Sequence, residues 1–163
     1  MRVSECPQCT GCPLRDKFPN RNLVPPKMGP GDRLVIAEAA GEQEEIQGEP
    51  LVGPSGRVFD SWCRKAGISR DSLSIANTLA CRPPDNIYPG DAESPFSEAE
   101  AAQIIRHCMK NHLLPLLESR PWKRIDIIGG KSLEALTGRT SIMNARGSMV
   151  EVDTDEIRRR YGI

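Results

Sequence analysis

Two groups of residues in this 163-residue chain have the types and the spacing for chemistry. The first is a run of thiols, Cys6-Pro7-Gln8-Cys9-Thr10-Gly11-Cys12-Pro13-Leu14, with a cysteine at every third position. A Cys-x-x-Cys turn lets two thiolates converge on one metal centre. Three in succession match the start of a ferredoxin-type iron–sulfur loop, and a thiolate-rich zinc knuckle is the alternative. The remaining ligands must come from far downstream. The second group is a loop bearing Glu38, Glu42, Glu44 and Glu45, set between the apolar run Val35-Ile36-Ala37 and the glycine-rich stretch Gly48 to Gly56. A positioned carboxylate there can activate water or stabilise a developing cation. The other carboxylates read as solvated or capping groups.

The elements that must hold these residues follow from the pattern of apolar positions. Arg33-Leu34-Val35-Ile36-Ala37 reads as a buried parallel strand. A strand end, a polar loop and a glycine turn opening a helix is where open α/β sheets place their chemistry. Ser55 is the expected N-cap of that helix, with Val58, Phe59, Trp62, Cys63 and Ala66 on its inner face and Gly67 as its stop. Cys63 therefore reads as a small core residue. Leu73 to Asn77 is a second strand with Asn77 at its C-terminal end. Cys81-Arg82-Pro83-Pro84 is a rigid, extended exit from it. After a Pro/Gly/Asp-rich loop over 85–96, Ser97 and Glu100 form a capping box. The helix they open is reset near Pro115. Ile125 to Ile128 is a third strand. Gly129-Gly130-Lys131-Ser132 lacks the earlier glycine of a phosphate-binding loop and reads as a plain strand-to-helix turn. Ser148 to Val152 is the expected fourth strand, and 156–161 a charged helix or tail. The expected architecture is a three-layer α/β/α sandwich around a central, mainly parallel four-stranded sheet, forming one domain over 1–163 with a cysteine-rich segment at 1–31.

Composition bounds the partners. Lys+Arg and Asp+Glu are 22 each, so net charge does not advertise a nucleic acid, although a balanced total can conceal a basic face. No apolar run reaches about 18 residues, so no membrane span is expected. The N-terminus does not resemble a signal peptide, and a cytoplasmic location is expected. In that reducing compartment clustered cysteines read as metal ligands or reactive thiols rather than disulfides.

Several separate stretches agree with one known family. Ala37-Glu38-Ala39-Ala40-Gly41-Glu42, followed by Gly48-Glu49-Pro50-Leu51-Val52-Gly53-Pro54-Ser55-Gly56, resembles the first motif of the iron–sulfur, family-four uracil-DNA glycosylases. Asn77 with Cys81-Arg82-Pro83-Pro84-x-Asn86 resembles the family's Asn-x-x-x-Cys-Arg-Pro-Pro-x-Asn. Ile127-Ile128-Gly129 and Arg146-Gly147 resemble its later strand and Arg-Gly turn, and Cys9-x-x-Cys12-x-Leu14 its start. The resemblance covers residues 9 to 150. It implies a [4Fe–4S] cluster on Cys9, Cys12, Cys81 and Cys108 that staples the N-terminal loop to the rest. Cys6 is then surplus, and as a third thiol of the same run it is an alternative to Cys9 as ligand. It implies hydrolysis of the N-glycosidic bond of uracil in DNA, single- or double-stranded, with no membrane involved. Glu38 would be the catalytic group, Asn77 would read the base, and Ala37, Ala39 and Leu51 would complete the substrate wall. Gly53, Ser55, Gly56 and Arg146 would meet the DNA backbone, with Arg57 and Arg82 as further basic contacts.

Four departures from the family pattern carry consequences. Ala37 replaces a glycine, Ala40 a proline, and Leu51 a phenylalanine that stacks on uracil. The family's later His-Pro motif does not occur, and the histidines here are His107 and His112, on the helix around Cys108. The expectation is a truncated or split glycosylase, or one of altered activity. The alternative is a non-catalytic module of the same fold that binds DNA or a protein partner.

Overall fold

The computed structural model describes residues 1–163. Three strands, β1 (Arg33–Ala39), β2 (Ser74–Leu79) and β3 (Arg124–Ile127), form one sheet in the order β2-β1-β3. Every pairing is parallel, with Ala37 opposite Asn77 and Ile36 opposite Ile127. β1 has a continuous apolar run, Leu34 to Ala37, and β2 is buried throughout because both faces are covered there, whereas the edge strand β3 alternates Ile125 and Ile127 with the charged Arg124 and Asp126.

Alternation along the strands divides the core. Leu34, Ile36 and Ala76 face one side, against Met109, Leu113, Leu136 and Ile157. Val35, Ala37 and Ile75 face the other, against Leu51, Phe59 and Cys63. The side chains of Leu34, Ile36 and Ile75 are fully buried. Each contributes about 1.5–3 kcal/mol of transfer free energy.

The first face is covered by the segment Met109–Leu113 that follows α4 (Glu98–Cys108), and by α5 (Leu114–Glu118), α6 (Gly130–Thr137) and α8 (Thr154–Tyr161). The second is covered by α3 (Pro54–Lys65) and the chain around Leu51. A third cluster, beyond the end of β2, gathers the N-terminal cysteines with Leu79, Tyr88, Phe96 and Ile104. The short α1 (Pro13–Lys17), α2 (Glu42–Gln47) and α7 (Ile142–Ala145) complete the helices.

The sheet has three strands, not the four expected. Residues 148–152 are irregular: Met149 is 98% exposed, and Val152 packs on the α8 side of the core instead of extending the sheet. Helix α3 begins at Pro54 with Gly53 as its N-cap, so Ser55 lies inside the first turn rather than capping it. Proline suits that first position, where an N–H would have no intrahelical partner. Its inner face is Phe59 and Cys63, while Val58 and Trp62 point to solvent. The capping box of α4 forms as read: Glu100 N donates to Ser97 Oγ at 3.3 Å, and Ser97 N donates to Glu100 Oε2 at 3.0 Å. Between α4 and α5 the helix widens into a π-turn, Met109–Leu113, just ahead of Pro115, which has no N–H for a regular turn.

Candidate functional site

Strands β2 and β3 lie on opposite sides of β1, and the chain crosses between the faces of the sheet to connect them. That makes the C-terminal edge of β1 a topological switch point, where open α/β sheets leave a crevice. A cleft of about 650 Å³ opens there. It brings together Ala37, Glu38, Ala39, Leu51, Ser55 and Asn77, which lie on three separate stretches of sequence. Arg57, Asn86, Ile128 and Gly129 join them, and the last two were legible in the sequence only as the end of a strand and its turn.

Asn77 stands beside Ala37 in the parallel register, within β2 rather than at its last residue. It is 8% exposed, and its Nδ2 is buried without any hydrogen-bond partner. A buried unpaired donor costs about 1–3 kcal/mol, and more than nine in ten buried polar groups avoid that cost. Asn77 also lines the cleft, so its unpaired amide stands in the wall that an entering group would meet.

Glu38 is half-buried, and its Oε1 accepts from Lys131 N at 2.9 Å, at the start of α6. The positive end of that helix favours a carboxylate. The carboxylate lies directly over Gly129, whose φ of +102° and lack of a side chain leave the space. Thr78 Oγ1 donates to the Glu38 carbonyl, and Tyr88 Oη lies 3.2 Å from Thr78 Oγ1. Burial pushes the Tyr88 phenol well above its ordinary pKa, so it stays neutral. The turn at Gly129 is therefore the seat of Glu38, a role the sequence did not reveal.

Glu44 is buried, not solvated. It accepts from Gly53 N at 2.7 Å, Val52 N at 3.0 Å and Gly41 N at 3.2 Å, tying the acidic loop to the glycine turn. A DNA phosphate at Gly53 would have to displace that carboxylate. Gly56 is also buried, against the Leu51 carbonyl, where any side chain would collide. Ser55 and Arg57 remain exposed on the cleft. Leu51 is 5% exposed and held at φ +54°, an uncommon conformation for a residue with a side chain. Glu45 is half-buried and takes Asn22 N at 3.1 Å and Arg21 at 3.1 Å. Arg82 donates to Asn86 Oδ1 at 2.8 Å and lies near Glu42 and Glu45. Arg146 is exposed at the end of α7 and does not line the cleft.

The thiols form a separate centre. Cys9, Cys12, Cys81 and Cys108 are all buried and line one small space. Cys9 ends the 3₁₀ turn Pro7–Cys9, Cys12 precedes α1, Cys81 follows β2, and Cys108 ends α4. The long interval between Cys81 and Cys108 does not separate them, because Tyr88 and Phe96 from that interval fold into the same cluster. Burial raises the pKa of each thiol, taking Cys108 up to about 12 and Cys81 well above the ordinary value. Neighbouring thiols add to this at Cys9, Cys81 and Cys108. Four thiols that resist ionising together, in one buried space, fit a group that brings positive charge: an iron–sulfur cluster or a zinc ion. His112 Nε2 lies 3.5 Å from Cys9 Sγ, and His107 Nε2 lies 2.6 Å from the Gln8 carbonyl. Both histidines thus sit at the thiol centre, not in the cleft.

A sequence model of the uracil DNA glycosylase superfamily matches residues 28–154. A protein named Type-4 uracil-DNA glycosylase from Pyrobaculum aerophilum is 30% identical over 135 residues, covering 80% of this chain and 62% of that protein. One of the same name from Saccharolobus solfataricus is 34% identical over 114 residues, covering 64% and 50%. A third, from Thermotoga maritima, is 36% identical over 87 residues, covering 53% and 44%. The chain spans about half the length of these relatives.

Proposed function

Starting from a chain that belongs to the uracil DNA glycosylase superfamily, we propose that it releases uracil from DNA by hydrolysing the N-glycosidic bond, and that the cleft at the end of β1 and β2 receives the base. The observation that carries this reading is the unpaired Nδ2 of Asn77. A side-chain amide offers one donor edge and one acceptor edge. Its N–H donates to uracil O4 while its carbonyl accepts from uracil N3–H. Cytosine presents the exchanged pattern and leaves both edges unmatched. The target must first leave the base stack, which costs a few kcal/mol.

In this reading Glu38, held by the Lys131 N–H, orients a water against the sugar carbon as the bond to the base breaks. The bonding pair leaves with uracil, the water hydroxyl bonds to the sugar, and the released proton neutralises the base. Ala37, Ala39 and Leu51 form the apolar wall against which the base lies, and Ser55 and Arg57 meet the backbone at the rim. Arg146 would engage DNA outside the cleft. Cys9, Cys12, Cys81 and Cys108 would hold a [4Fe–4S] cluster. Its contribution is structural: it fixes the segment 1–31 to β2 and α4 within one glycosylase unit. Buried thiols of this kind suit the reducing cytoplasm.

The test is release of free uracil from single- and double-stranded oligonucleotides by the purified, iron-loaded chain. Release that falls at least about tenfold in both Glu38→Gln and Asn77→Ala, the loss of one good hydrogen bond or more, is the expected result. Binding of uracil-containing DNA without release would instead support a non-catalytic module. That second reading has its own observation, the aliphatic Leu51 in the base wall.

A further inference from the structure

The N-terminal run holds one more thiol than a four-thiol centre uses. Cys6 is 1% exposed, more deeply buried than Cys9 at 6%, and belongs to the same packed cluster as Cys12, Cys81 and Cys108. Its sulfur, that of Cys9 and a ring nitrogen of His112 all lie within 4.8 Å of one another. Thiolates on different irons of one cubane radiate from its corners. Two sulfurs this close cannot serve separate corners, but they can serve the same one in turn.

The backbone repeats the same local step on both sides of Cys9. Cys9 N donates to the Cys6 carbonyl at 3.0 Å, and Cys12 N donates to the Cys9 carbonyl at 3.2 Å. Cys6 and Cys9 are thus related by a tight turn like the one that relates Cys9 and Cys12. Each also has a place to go when it is not a ligand. The Cys6 thiol donates to Gln8 Oε1 at 3.2 Å, and Cys9 Sγ stands 3.5 Å from His112 Nε2. The π-turn Met109–Leu113 carries His112 onto this sulfur, directly after Cys108. Either thiol thus has a hydrogen-bonding partner while the other binds.

We propose that Cys6 and Cys9 are interchangeable ligands for a single corner of the iron–sulfur centre, with Gln8 and His112 receiving whichever thiol is not bound. This rests on the cluster reading given above. No electron or proton has to be supplied from elsewhere: one thiolate binds iron as the other leaves and takes up the proton that the first released.

The test uses the full chain in four forms: wild type, Cys6→Ser, Cys9→Ser and the double variant. Each is purified without oxygen and assayed for iron and acid-labile sulfide per chain and by electron paramagnetic resonance. Far-ultraviolet circular dichroism verifies that the fold is kept. The expected result is near-complete cubane content in wild type and in both single variants, with at least a fivefold loss in the double variant. His112→Gln in the Cys6→Ser background keeps its iron, because Cys9 is then the ligand and the histidine is not one itself. Loss of iron in Cys9→Ser as complete as in the double variant overturns the proposal. So does a three-iron signal in Cys9→Ser alone, or a cubane that survives in the double variant. Absence of iron and sulfide from wild type has a different meaning: it removes the cluster reading itself.

Discussion

Glu44 is the residue through which the cleft's shape is most exposed to a single change. Its carboxylate accepts three backbone N–H groups, from Gly41, Val52 and Gly53, while the side chain is almost wholly out of water. Glu44→Ala leaves all three without that acceptor. Gly53 is buried, so its orphaned N–H costs about 1–3 kcal/mol. Gly41 and Val52 are half-buried, and partial access to water reduces their cost to roughly 0.5 kcal/mol each. The sum is about 2–4 kcal/mol. Glu44→Gln keeps one oxygen for Val52 and Gly53 and gives up the charge-assisted bond to Gly41, for a loss of about 1 kcal/mol. Urea unfolding measures both. With a slope of about 2 kcal/mol/M, Glu44→Ala lowers the midpoint by about 1–2 M at unchanged slope, and Glu44→Gln by about 0.5 M. A midpoint for Glu44→Ala within about 0.25 M of wild type would refute the view that this carboxylate holds the loop.

Other expectations follow from the same contacts. Gly129→Ala places a side chain where the Glu38 carboxylate lies, at a φ of +102°, so Glu38 must leave Lys131. Stability should fall by about 1–3 kcal/mol and uracil release by up to about 100-fold, and unchanged kinetics would sink the proposed seat of Glu38. Lys17 beside Glu100 is the main cause of a carboxyl pKa lowered from 4.5 to about 2, with the Ser97 N–H adding to it. Its contribution to docking α1 on α4 is therefore fully present above about pH 4.5 and is lost as pH falls through about 2. Carboxyl carbon NMR should show the midpoint rising in Lys17→Ala, and an unmoved midpoint contradicts the pairing. If the four thiols hold the proposed cluster, chelation should loosen 1–31 and let trypsin cut after Arg15 and Lys17 before it cuts the sheet. Simultaneous cleavage throughout would contradict the stapling role.

Much of this arrangement is visible in local patterns, and the exceptions have a common cause. Leu34 to Ala37 is an apolar run that declares a strand whatever surrounds it, and Ile75-Ala76 and the pair Ile125 and Ile127 mark the other two. The Ser97–Glu100 box is written within four residues and forms as written. Glu38, Leu51 and Asn77 line one cleft because they lie near the ends of adjacent strands or on the loop between those strands. What escaped the sequence depends on distant partners. The contact of Glu38 with Lys131 spans 93 residues, and Gly129 looked like an ordinary turn. Glu44 caps its helix at Gly41, one of the two roles its position suggested, but its bonds to Val52 and Gly53 appear only once the glycine turn folds over it. Residues 148–152 have strand-like composition, but Val152 is drawn to the α8 core and no fourth strand forms. Val58 and Trp62 are apolar and well spaced, yet Phe59 and Cys63 already fill the face that α3 presents to the sheet.

The central claim is that the free amide of Asn77 reads the base. The direct measurement is base release by the iron-loaded chain from matched single-stranded oligonucleotides carrying one uracil or one cytosine at the same position, for wild type and for Asn77→Ala. Wild type should release uracil at least about 100-fold faster than cytosine, and Asn77→Ala should lose most of the uracil rate without gaining on cytosine. Equal uracil release by wild type and Asn77→Ala, or no preference between the two bases, would contradict it.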